Sequence, residues 1–217
     1  MQLALHGAEH VPAAFSEIQL SALESALAAL PADRAGLRLQ PGAGLHALIE
    51  PATALARTHL GPGAQPVRAM LFNKTPESNW ALGWHQDRTI AVRARADVPG
   101  FSQWTLKHGI SHCVPPFPIL DAMLTLRLHL DDTGEANAPL LIAPGSHTLG
   151  LIPEAQVPAV VQRFGTATCL AARGDLWLYA AALLHASERA AEPRRRRVLQ
   201  LSYSAGPLPP PLEWLGL

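Results

Sequence analysis

The chain is poor in charge and in cysteine, and it lacks any long apolar run. Only 16% of its 217 residues are Asp, Glu, Lys or Arg, and the two signs balance at 17 each. A chain without net charge exerts no overall pull on nucleic acid or an anionic membrane, so neither is expected as a partner. The one basic run, Arg194-Arg195-Arg196-Arg197, is too short to change that. The two cysteines, Cys113 and Cys169, form no CxxC pair and no framework of even spacings, and they read as reduced core thiols of a cytoplasmic protein. No stretch reaches the roughly 18 uninterrupted apolar residues of a spanning helix. The opening MQLALHGAEHVPAAF has no basic segment ahead of an apolar one, so no signal peptide is expected and the location reads as cytoplasmic. What the chain does have is 48% hydrophobic residues, enough for one domain with a sizeable core. No internal repeat or interdomain linker is visible. The expected organisation is a single domain over 1–217, with mostly helical support over 1–66, a strand-rich core over 67–204 and a Pro-rich extended tail over 205–217.

Residues 12–31 place Ile18, Leu20, Leu23, Leu27 and Leu30 near helical period, with Ser16 or Ser21 available as cap. A second helix is expected over 45–60, with Pro51 at a break or first turn. From Val67 the pattern turns to strands: VRAMLFN, a turn at KTPES, then NWALGWHQD and TIAVR. Residues 96–118 show no sustained period and read as an insertion or lid. The segment MLTLRLHLDD (123–132) is a strong strand, with Leu124, Leu126, Leu128 and Leu130 on one face and Thr125, Arg127 and His129 on the other. A turn, a short strand LLIA, a tight loop PGSHTLG and a short helix over 153–164 follow. ATCLAA, DLWLYA and RVLQLSY close the domain as strands. Helices first and many short strands later imply α+β, or a β barrel or sandwich buttressed by helices.

The chemistry concentrates at Trp84-His85-Gln86-Asp87-Arg88. On a strand, residues i and i+2 share a face, so His85 and Asp87 project together while Gln86 faces away. His185, expected where a strand ends, completes a set of two imidazoles and one carboxylate. Such a facial triad leaves open positions on a non-haem Fe(II). A His-x-Asp pair alone is weak, and a buried hydrogen-bonded histidine is the blander alternative. Arg196 lies near the start of the final strand, and a guanidinium holds a carboxylate by two parallel hydrogen bonds. Parity selects it among the four arginines: it shares a mixed polar face with Val198, Gln200 and Ser202, whereas Arg195 and Arg197 alternate with Leu199, Leu201 and Tyr203. The other three arginines read as a solvated charge cluster.

The segments WHQD, LRLHLDD, EANAPLLIAPGSH, and GDLWLYAAALLHAS followed by RRVLQLSY, in that order over about Val67 to Ser204, resemble the phytanoyl-CoA dioxygenase family. That resemblance implies a mainly β fold with flanking helices, a double-stranded β-helix (jelly roll, cupin-like) buttressed by N-terminal helices. It also implies an Fe(II)- and 2-oxoglutarate-dependent dioxygenase that uses O2, hydroxylates a C–H bond of a small-molecule substrate and releases succinate and CO2. Carried over by motif, His85, Asp87 and His185 match the iron ligands, Arg196 matches the arginine that binds the distal carboxylate of 2-oxoglutarate, and Ser187 matches a small polar position supporting that carboxylate. Trp104 matches an aromatic residue near the co-substrate. The carboxylate at Asp87 argues against a halogenase. One departure stands out: the family's Asn-Gly-Pro-Leu turn is Asn137-Ala138-Pro139-Leu140 here, which puts an alanine where a positive φ is called for.

Other residues keep two readings. His147 is expected to hydrogen-bond structurally. His108 and His112 either line the substrate mouth or belong to an ordinary loop. Arg127 and His129 reach substrate or 2-oxoglutarate if their face lines the barrel. Trp80 and Trp84 read as core packing, and Arg88 as an outer contact of the metal segment. The rival functions are a cupin-like metal-dependent hydrolase or isomerase using the same triad, which has no need of a buried dicarboxylate anchor, and a non-catalytic barrel-type binding protein. Neither the substrate nor the oligomeric state is set by the sequence.

Overall fold

A computed structural model describes residues 1–31, 34–42 and 44–217. In chain order its elements are α1 (Leu3–His6), β1 (Ala8–Val11), α2 (Glu17–Leu27), β2 (Gly36–Arg38), α3 (Glu50–Leu60), β3 (Gln65–Lys74), β4 (Leu82–His85) and β5 (Ile90–Val92). Then come β6 (Ser102–Lys107), β7 (Ile110–Val114), α4 (Phe117–Asp121), β8 (Met123–His129), β9 (Leu140–Ile142), α5 (Val157–Phe164), β10 (Ala167–Cys169), β11 (Leu176–Ala180), β12 (His185–Ser187) and β13 (Arg196–Ser204). A six-stranded sheet runs β1-β11-β8-β13-β3-β2, a four-stranded sheet runs β10-β9-β12-β4, and β5-β7-β6 form a third. Every named pairing is antiparallel. The architecture is mainly β, a double-stranded β-helix with α2 and α3 packed on the outer face of the large sheet. Among the described residues no helix is long and apolar enough to cross a membrane.

Alternation in the large sheet separates core from cavity. Leu124, Leu126 and Leu128 of β8, Leu199 and Leu201 of β13, Ala69 and Leu71 of β3 and Leu37 of β2 all enter one cluster with Leu20, Leu23 and Leu27 of α2 and Ala52 and Ala56 of α3. Removing each such leucine from water stabilises the fold by about 1.5–3 kcal/mol. Helix α2 starts at Ser16, whose hydroxyl accepts from Gln19 N while the Gln19 side chain returns to Ser16 N, a complete capping box. Ile18, expected on the buried stripe, is instead 84% exposed. Pro51 sits in the first turn of α3, where its missing N–H costs nothing.

Two expectations, on His185 and Arg197, are corrected, and two others gain detail. The first 66 residues also supply β1 and β2, the two edges of the large sheet; elements of three or four residues are too short to show a period. Residues 96–118 are an ordered hairpin, β6–β7, followed by α4. Its alternation is broken by a register shift between Ser102 and Thr105, where Gln103 has φ 50°, and β6 is largely exposed, so no polar–apolar rhythm marks it. The hairpin closes on His108 and Gly109, both at positive φ (52° and 77°). His185 begins β12 rather than ending a strand. Arg197 does not belong to a solvated cluster: it donates to Asp131 through Nε (2.9 Å) and Nη2 (2.6 Å) and pairs with Glu24, tying the sheet to α2. The Pro-rich tail buries Leu208, Leu212 and Trp214 beside the hairpin. Cys113 and Cys169 are buried and free.

Candidate active site

His85 closes β4, Asp87 follows two residues later, and the pairing of β4 with β12 sets His185 directly opposite His85. The ligand-type atoms of His85, Asp87 and His185 all lie within 4.8 Å of one another. Both imidazoles use Nδ1 on a carbonyl, His85 on Gly83 O (2.8 Å) and His185 on Leu183 O (3.0 Å). A carbonyl can only accept, so Nδ1 carries the proton and Nε2 keeps its lone pair for a cation. Asp87 Oδ2 is buried with no hydrogen-bond partner. Gln86, facing away as alternation requires, fastens the strand end through three backbone groups: its Nε2 donates to Gly150 O (2.8 Å) and Ala182 O (2.6 Å), and its Oε1 accepts from Ile152 N (2.9 Å). That clamp orients the residues on either side of it, a role the sequence did not suggest.

The protonation states suit a divalent metal. Burial lowers the His185 imidazole to about 4, opposed by Asp87, so it is neutral at pH 7. Burial alone would raise the Asp87 carboxyl, yet His185, Arg68, His85 and Arg127 together hold it below the ordinary carboxylate range. With His185 neutral, Arg68 and Arg127 remain to keep the carboxylate ionised. Neutral imidazole and ionised carboxylate are the forms a metal ligates. An unpartnered buried carboxylate oxygen and two free imidazole nitrogens within reach of one another fit such an ion.

These three residues line a cavity of about 480 Å³ between the two main sheets. Arg196 lines it too and is only 1% exposed, with Nη1 donating to Ala138 O (2.6 Å) and Nε unpartnered. Burial, then the neighbouring Arg127, lowers it to about 9. Ser187 lines the same wall, donating to Ala138 O (3.3 Å) and accepting from Lys74 Nζ (3.2 Å). Ala138 is left-handed (φ 52°, ψ 58°), and this strained turn is what presents its carbonyl to both side chains. Trp104 is not brought to the cavity. It lies on β6, 5.7 Å from the Arg95 guanidinium, and packs with the hairpin and tail. The aromatic walls are instead Trp80 and Phe72.

Arg127 points inward as its parity required, donating to Gln200 Oε1 (2.8 Å). His129 is buried and bonds Thr133, away from the cavity lining. His112 is buried on Ile110 O, and His108 touches Arg38 at 3.5 Å. Lys74, Arg38 and Arg68 were missed. Lys74 is 1% exposed under Trp80, with burial, then Arg196 and Arg127, lowering it to about 8. Its signal was present: Lys74 continues the inward parity of Arg68, Met70 and Phe72 in β3.

A family model described as Phytanoyl-CoA dioxygenase (PhyH) matches residues 13–198. No curated protein matches the chain. Among solved structures, AviO1 from Streptomyces viridochromogenes Tue57 is similar at 19% identity and a TM-score of 0.68, covering 96% of this chain and 94% of that one. EctD from S. alaskensis, solved with 2-oxoglutarate and 5-hydroxyectoine, gives 19% and 0.67, covering 93% and 73%. SnoN, a non-heme alpha-ketoglutarate-dependent epimerase from nogalamycin biosynthesis, gives 16% and 0.65, covering 93% and 80%.

Proposed function

From the premise that this chain belongs to the phytanoyl-CoA dioxygenase family and is an Fe(II)- and 2-oxoglutarate-dependent non-haem iron oxygenase, we propose that residues 1–217 act as one unit that hydroxylates a C–H bond of a small molecule. In this reading His85, Asp87 and His185 hold the iron, and Arg196 with Ser187 holds the distal carboxylate of 2-oxoglutarate. The observation that carries it is the meeting, in one cavity, of the metal-ligand triad and a buried guanidinium with no acid partner among the described residues. A buried charge without a counter-ion is costly, and a carboxylate accepting from Arg196 removes that cost. Lys74 adds a second cation behind Ser187.

When bound, iron, 2-oxoglutarate and O2 supply the oxidising power. The residues of this chain do the rest. The Nδ1 bonds of His85 and His185 fix tautomer and ring plane, Gln86 locks the segment between His85 and Asp87, and Trp80 and Phe72 wall the cavity. A hydrolase or isomerase that uses the same triad without 2-oxoglutarate has no use for Arg196.

Anaerobic addition of Fe(II) and 2-oxoglutarate is expected to give a weak visible charge-transfer band, lost in Asp87→Ala together with succinate formation. Full turnover in that variant defeats the assignment. Because SnoN is an epimerase, the hydroxylation step needs its own test. Product mass across a substrate panel decides it: a gain of one oxygen atom is expected, and an unchanged formula with inverted stereochemistry would replace hydroxylation by epimerisation at the same centre.

A further inference from the structure

The cavity holds more positive charge than the proposed cofactors use. Among the described residues, Arg38, Arg68, Lys107, Arg127 and Arg196 line it, against the single carboxylate of Asp87. Among the described residues, none of the five lies in an ion pair. Fe(II) and the dianion of 2-oxoglutarate cancel each other's charge, so loading them leaves the excess as it was.

The cations sit at two ends. On β13, Arg196 pairs with Lys74 of β3, whereas Arg68 of β3 pairs with Ser202. Six residues of strand, roughly 20 Å, separate those two registers. Arg38 of β2 faces Met70, two residues beyond Arg68, so Arg38 and Arg68 are diagonal cross-strand neighbours on the same inward face. Two like charges set that close destabilise the strand pair unless an anion lies between them. Arg38 Nε is buried without a partner, and so is Nε2 of the neighbouring His112. The hairpin closes over this end: Arg38 Nη1 meets His108 Nδ1 at 3.5 Å, Gln40 Nε2 donates to the His108 carbonyl, and Lys107 lines the cavity from β6. Burial, then Arg68, lowers the Arg38 guanidinium, as expected for charge facing charge.

We propose that Arg38 and Arg68, with Lys107 above them, form a substrate subsite at the end of the cavity opposite Arg196, and that the primary substrate is a small organic acid whose carboxylate or phosphate docks there. The assignment of the triad and Arg196 is the reading it rests on. The open groove on the far side of His85, lined by Trp84, Val157, Pro158 and Val161, has one residue of each sign, Arg88 and Glu154, and no comparable excess.

The test is calorimetric titration of the whole protein, metal-free and again with Mn(II) and saturating 2-oxoglutarate, using hexanoate, hexyl phosphate, hexanol and hexylamine. The acids are expected to bind at least about tenfold more tightly than hexanol. That preference should vanish in Arg38→Gln/Arg68→Gln, persist in Arg196→Gln, and reverse toward hexylamine in Arg38→Glu/Arg68→Glu. Hexanoate against hexyl phosphate separates the two headgroups. Equal binding of acid and alcohol, or loss of the preference in Arg196→Gln but not in the paired variant, overturns the subsite. Should the paired variants fold poorly by thermal unfolding, single Arg38→Gln is read in the same way, since its residue lies on an edge strand. Failure of Mn(II) to bind stoichiometrically would instead sink the metal reading, and the metal-free loss of acid preference in Arg38→Gln/Arg68→Gln made on the Arg196→Gln background still decides the subsite.

Discussion

Two adjacent arginines with opposite parity carry opposite duties. Arg196 faces the cavity, fully buried and without an acid among the described residues; Arg197 faces the helices, held by Asp131 and Glu24. On the proposed reading, Arg196→Gln removes up to two charge-assisted bonds to 2-oxoglutarate, each worth about 1.5–3 kcal/mol, and its KM should rise by roughly 10- to 10,000-fold. The same change should leave the metal-free midpoint of unfolding level or higher, because an uncompensated buried charge has gone. Arg197→Met should do the reverse: KM for 2-oxoglutarate unchanged, and stability lower by about 2 kcal/mol, a drop of roughly 4–8 °C in Tm. Steady-state kinetics and thermal unfolding on the pair check both halves. Equal effects of the two substitutions on KM would mean that parity does not separate their roles.

At the level of elements, strands with one clean face were legible and those without one were not. In β8 the alternation of leucine with Thr125, Arg127 and His129 is a direct reading of core against interior, and β13 let Arg196 be chosen from four. The hairpin β6–β7 was hidden because a bulge at Gln103 breaks its period and because β6 has little buried surface to pattern. Trp104 was misplaced for the same reason: a motif carried across an unread element lost its register. Edge strands β1 and β2 are fixed by pairing with distant strands, which no local window contains. Lys74 was passed over because it stands at the join of strand and turn. The turn before β9 was legible as a departure. Ala138 does hold the left-handed conformation, ahead of a proline that narrows its choices further. Ala138→Gly should remove about 1 kcal/mol of strain, partly offset by the freer unfolded chain, for a net rise of roughly 1–3 °C in Tm. A lower Tm would mean that the buried methyl outweighs the strain.

On the scale of the whole molecule, the burial of histidine ties stability to pH. Three histidines are kept neutral chiefly by burial: His185 and His112, each lowered to about 4, and His129, held well below its ordinary value. In the unfolded chain each titrates near 6.5. Between those values the unfolded state binds more protons than the folded one, so folding stability rises with pH across the window. The stabilisation is complete above about pH 6.5 and is lost as pH falls toward 4. Each histidine contributes a slope of up to about 1.4 kcal/mol per pH unit. Urea unfolding of the metal-free protein between pH 7.5 and 5 keeps clear of most carboxylate titration and should show a steadily falling midpoint. His112→Gln should reduce that slope by one proton and leave metal binding intact. With Mn(II) and 2-oxoglutarate the whole curve should be raised by the linkage stabilisation, about 2.7 kcal/mol at a hundredfold excess over Kd, and stay parallel to the metal-free one down to pH 5, because His185 is already neutral there. A midpoint flat from pH 7.5 to 5 would show that these imidazoles are not buried in their neutral form. A metal-loaded curve no higher than the metal-free one would show that the triad holds no ion.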